Sequence, residues 1–86
     1  MKITAALLKE QGVSFAVVNV KGWVLNPLER DSTATSFQAY FPGFNIILMS
    51  QDSSGRATFY GRKDIVRFLQ NVPTYALPWK EFTFAS

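Results

Sequence analysis

The sequence predicts a small single α+β domain spanning residues 1–86, with a three- to four-stranded sheet and helices mainly on one of its faces. Three observations lead there. A chain of 86 residues has room for one hydrophobic core and no second. Apolar content of 48% against 17% charged residues is the composition of a folded domain rather than a disordered one. Runs of β-branched and aromatic residues also alternate with segments whose apolar residues recur at helical spacing, giving the order α-β-α-β-β-α-(β).

Residues 3–11 (ITAALLKEQ) read as a short helix with Ile3, Ala6 and Leu7 inward, and Gly12 follows where a helix C-cap prefers glycine. Residues 13–21 (VSFAVVNVK) are β-branched and aromatic, and apolar on both faces apart from Ser14 and Asn19. They read as a central strand covered on both sides, running on to Leu25 with Gly22 as a bulge. Asn26-Pro27 opens a loop. Asp31 or Ser32 then caps a helix over 32–41, with Phe37, Tyr40 and Phe41 on one face and Pro42-Gly43 as its stop. The apolar run 45–50, the polar turn 51–55 and the aromatic run 56–61 make a β-hairpin of the longer-loop type. Residues 62–72 form an amphipathic helix with Ile65, Phe68, Leu69 and Val72 inward, closed by Pro73. WKEFTF (79–84) reads as a last strand at a sheet edge.

Without its first helix this order resembles the split βαβ arrangement of ferredoxin-like domains, the favoured reading. Without its last strand the ending resembles the ββα half of thioredoxin-like domains, the alternative. That family's Cys-x-x-Cys is absent, and no proline directly precedes the strand at Asn45.

The composition excludes much chemistry. With neither cysteine nor histidine, the chain lacks the usual nucleophile, the usual neutral-pH base, a disulfide framework and a zinc knuckle. Glu29 and Asp31 are the only close carboxylate pair, and they flank Arg30 in a solvated loop with nothing to raise a pKa. Ser53 and Ser54 have no base beside them, and Asp52 reads as an Asx-turn residue. No metal-binding spacing and no P-loop are present. The expectation is a non-enzyme without cofactor or metal. The N-terminal apolar stretch of about six residues falls short of the roughly 7–15 of a signal segment. No run approaches the roughly 18 apolar residues of a membrane helix, so a cytoplasmic protein away from membranes is expected.

Charge is asymmetric. Residues 1–52 balance, whereas the whole +3 excess lies in residues 53–86. Arg56, Arg62, Lys63 and Arg67 are candidates for one basic face, with Lys63 and Arg67 four apart on a helix. Beside Phe59, Tyr60 and Trp79 such a face fits single-stranded nucleic acid. The resulting sheet would resemble that of an RNA-recognition domain, although RATFYG lacks that family's full Gly- and aromatic-rich pattern. Gly61-Arg62-Lys63-Asp64, after a strand and at a helix start, also reads as an anion corner or as ordinary helix initiation. The other candidate is the tail, segment 78–86, which serves either as core or as interface. Trp79, Phe82 and Phe84, with Trp23, are the apolar anchors that a protein partner or a second copy would meet. The sequence favours a non-enzymatic module acting through protein–protein contacts, a homodimer included, with nucleic-acid binding as the alternative.

Overall fold

The computed structural model describes residues 1–85; Ser86 lies outside the described residues. Five strands form one mixed sheet: β1 (Lys2–Glu10), β2 (Val13–Asn19), β3 (Asn45–Gln51), β4 (Ala57–Tyr60) and β5 (Trp79–Thr83). Their order across the sheet is β4-β3-β2-β1-β5. Only β2 and β3 run parallel, and helix α1 (Arg30–Gln38) connects them. Helix α2 (Lys63–Leu69) follows β4.

The first element is a strand, not the helix that its Ala, Leu, Lys and Glu residues favour. Ile3, Ala5 and Ala6 are all buried, and neighbours Ala5 and Ala6 sit on opposite faces. One helical stripe would leave one of the two sides in water; a strand between two others buries both. Gln11 and Gly12 carry φ of 50° and 80°, the two positive values that a tight hairpin joining β1 to β2 requires. The glycine that resembled a helix cap is therefore a hairpin residue.

The layers also differ from expectation. Phe15, Val17, Ile47 and Met49 face α2, meeting Ile65 and Leu69. Ala16, Val18 and Leu48 face the other way, toward Val24, Phe41 and the α1 residues Ala34 and Phe37. The helices thus cover both faces, because the middle residues of the central strands, Phe15–Val18 and Ile46–Met49, are apolar on both sides and leave no solvent face. The split βαβ arrangement is not formed, since β2 and β3 are hydrogen-bonded directly with no strand between them. The ββα ending of the alternative is present as β3, β4 and α2, but the sheet continues into β5. Phe15, Ile47, Leu48, Met49 and Leu69 are fully buried. At roughly 1.5–3 kcal/mol for each such side chain, they make β2, β3 and α2 the stabilising centre.

Local departures have local causes. Gly22–Leu25 is a 3₁₀ turn closed by Val24 N–H to the Lys21 carbonyl at 3.0 Å, so β2 ends before Gly22. Helix α1 starts two residues earlier than expected, at Arg30, and neither Asp31 nor Ser32 caps it. The Ser32 hydroxyl instead donates back to the Glu29 carbonyl at 3.0 Å. Tyr40 and Phe41 lie just beyond its end, where Phe41 is buried in the core. Helix α2 ends at Leu69 rather than 72, and Phe68 is at the surface, 37% exposed. The last strand holds as expected: β5 is an outer strand, antiparallel to β1.

Candidate functional site

Beyond the core, the feature that most invites a ligand is the outer edge of β4. This four-residue strand pairs with β3 on one side only. Its hairpin closes through Asp52 N–H to the Arg56 carbonyl at 3.0 Å. Antiparallel alternation then aims the N–H and C=O of Thr58 and Tyr60 at β3, and turns those of Ala57 and Phe59 outward. A groove of about 400 Å³ lies alongside, lined by Phe59, Tyr60, Gly61, Lys63, Val66, Arg67 and Gln70.

The hairpin and helix set this geometry. Asp52 Oδ1 accepts from Ser54 N–H at 2.9 Å, from the Ser54 hydroxyl at 2.6 Å and from Arg56 N–H at 3.0 Å. These bonds, the Ser54 hydroxyl's first and the Arg56 amide's next, hold the Asp52 carboxyl below its ordinary 3.8. Gly61 turns the chain from β4 toward α2 with φ of 156°, and a Cβ there would lie 2.5 Å from Ile47 Cδ1. The turn therefore packs against β3 and carries α2 along the strand's flank.

Of the four cations read from the sequence, Lys63 and Arg67 share this groove. Arg62 is engaged elsewhere, its Nε 2.8 Å from Asp64 Oδ1. Arg56 stands exposed at the hairpin end of β4, outside the groove. Phe59 and Tyr60 point to opposite faces and pack against the two core clusters. Their rings therefore form no common stacking platform.

On the α1 side of the same strand, the Arg30 guanidinium lies over the Tyr60 ring, 4.3 Å from its centroid. The Tyr60 hydroxyl donates to Asp31 Oδ1. That bond, with desolvation and the Asp31 charge behind it, raises the Tyr60 hydroxyl above its ordinary 10.0. Arg30 and Asp31 thus belong to the first turn of α1 and tie it to β4, where sequence reasoning had put a solvated loop.

The apolar anchors divide. The Trp79 ring packs on the α2 side, and its Nε1–H donates to the Thr74 carbonyl at 2.8 Å. Phe82 and Phe84 stack on each other and meet the buried Phe41 edge-on. Trp23 stays 65% exposed on its 3₁₀ turn. A smaller cavity of about 210 Å³ opens between the first hairpin and α2, lined by Glu10, Gln11, Val13, Phe15, Asp64, Ile65 and Phe68. Among the described residues no group of three acids is placed to hold a metal ion, and no helix is long and apolar enough to cross a membrane.

Sequence reasoning named Gly61 only in the corner Gly61-Arg62-Lys63-Asp64 and missed Val66 and Gln70 as groove residues. Val66 and Gln70 are four apart, one position on from the Ile65–Leu69 core stripe, and that offset was the available signal. Comparison with known proteins gives no match: no family model, curated protein or solved structure aligns with this chain.

Proposed function

We propose that this protein is a small non-enzymatic binding module that takes up an extended segment of another protein along β4. The observation that carries this reading is the unpaired edge of β4 beside its own groove. An incoming strand gains main-chain hydrogen bonds from Ala57 and Phe59 and side-chain contacts from the α2 flank. Magnitude makes the groove necessary. Four backbone bonds at about 0.5–1.5 kcal/mol each supply roughly 2–6 kcal/mol. A micromolar complex needs about 8 kcal/mol, so Phe59, Val66 and their neighbours contribute the remainder.

Nucleic-acid binding is the second reading, favoured by Lys63 and Arg67 lying together. Single-stranded binding draws much of its strength from bases stacked on exposed aromatic faces. Here Phe59 and Tyr60 are half-buried on opposite sides of the sheet. The test is an amide-resolved NMR titration of the full chain with extended peptides and, separately, with random single-stranded RNA. Strand addition requires shifts centred on Ala57–Gly61 with peptide. RNA binding that collapses with salt, with no peptide shifts on β4, would replace it with the nucleic-acid reading.

A further inference from the structure

Taking strand addition at β4 as its basis, we infer that the occupant is an extended acidic segment whose α2-facing side chains alternate acidic and apolar. The charge that lines the groove beside β4 is of one sign. Arg56 and Arg62 bracket the strand, and Lys63 and Arg67 line the groove beside it. No carboxylate lines that groove. Asp64, the acid in the first turn of α2, is already bonded to Arg62. Among the described residues Lys63 and Arg67 are in no ion pair, so their charge is free for an incoming carboxylate.

The opposite edge of the sheet is built differently. Strand β5 carries Lys80 and Glu81 side by side, and Glu81 meets Lys2 of the neighbouring strand at 3.7 Å. Strand β5 itself therefore carries one charge of each sign, and such mixed charges on an edge discourage pairing. A second copy is also a poor occupant for β4, because pairing β4 with itself would bring the cations of both copies together. An acidic strand from another protein meets neither obstacle.

Strand geometry then fixes the pattern. Residues paired across two strands point to the same face, and successive residues alternate. The ligand residue opposite Phe59 therefore enters the α2 side with Phe59 and Val66 as its apolar surroundings. Its neighbours two positions away lie on that same side, the side of Lys63 and Arg67. Intervening residues face Thr58 and Tyr60, where Arg30 over the Tyr60 ring and Asp31 on its hydroxyl supply one charge of each sign.

The probe is the capped peptide Thr-Glu-Thr-Val-Thr-Glu-Thr, titrated into the isotope-labelled full chain beside versions with both Glu changed to Gln or to Lys. The Glu peptide should shift the amides of Ala57, Phe59, Lys63 and Arg67. It should bind about tenfold more tightly than the Gln version, with the difference shrinking as salt rises. Equal binding by the Gln version, or preference for the Lys version, overturns the acidic specificity while leaving strand addition standing. No β4 shifts with any of the three peptides overturns both. In the double variant Lys63→Glu plus Arg67→Glu, both on the exposed side of α2, preference should pass to the Lys peptide. A correctly folded double variant that still prefers the Glu peptide overturns the assignment of the two cations.

Discussion

Gly61 shows how a single atom governs the geometry of the groove. A Cβ at this position would sit 2.5 Å from Ile47 Cδ1 and 3.0 Å from the Ile46 carbonyl oxygen, on a backbone with φ of 156°. The isoleucine methyl can yield by rotating; the carbonyl belongs to the central sheet and cannot. Gly61→Ala should therefore cost about 1–3 kcal/mol in urea unfolding through strain and overpacking. It should also shift the amides of β4, since relief of the clash moves the turn away from β3. An unchanged unfolding midpoint would mean that Gly61 is not wedged as described. The sequence marked Gly61 only as part of a possible anion corner and not as a wedge against β3, because close approach of a distant strand leaves no local signature. The opposed faces of Phe59 and Tyr60, by contrast, followed from adjacency alone.

At the level of elements, the β3–β4 hairpin was the most legible part of the chain, and its turn has a measurable pH signature. Asp52 is held charged by three donors, so its folded-state pKa lies below the ordinary 3.8. A depressed carboxylate adds stability that is present above its unfolded pKa and is lost as pH falls through the folded value. Asp52→Ala should lower the thermal midpoint at neutral pH, and the gap from the parent should narrow below pH 3.8. A gap that stays constant into strong acid would show that the charge plays no part. The first strand was illegible for a physical reason. Ala5, Ala6, Leu7, Leu8, Lys9 and Glu10 are residues that helices favour, and small side chains suit a strand enclosed on both faces. Pairing with β2 and β5 decided the outcome; β2 follows directly across the turn, but β5 lies some seventy residues on, and neither pairing is written within residues 3–11. Helix α2 was legible from its period, whereas the position of β4 at the sheet edge was not, because strand order depends on which distant strand arrives beside which.

For the whole molecule, the question left by the sequence was whether the aromatic tail belongs to the body or to a partner. Strand β5 pairs with β1 along its length, and Phe82 and Phe84 close over Phe41. Phe41 is buried and Phe82, Phe84 and Trp79 are half-buried, so their contacts, each below or near the roughly 1.5–3 kcal/mol of a fully buried side chain, are a large part of the entire stability of a domain this size, about 4–13 kcal/mol. Removing everything from Pro78 onward should therefore abolish the cooperative unfolding transition and collapse the amide spectrum. A truncated chain that stays folded would return the tail to the role of an interface. The pairing of β1 with β5 also imposes an order in time. Met1 and Phe84 exchange backbone hydrogen bonds at 3.0 and 2.8 Å, so the first strand synthesised is completed by the last. At roughly 5–20 residues per second, on the order of 4–16 s separate the two on the ribosome. Throughout that interval β1, apolar on both sides, has no neighbour on its outer edge, and its unpaired N–H and C=O groups stay open to mispairing until β5 has been made.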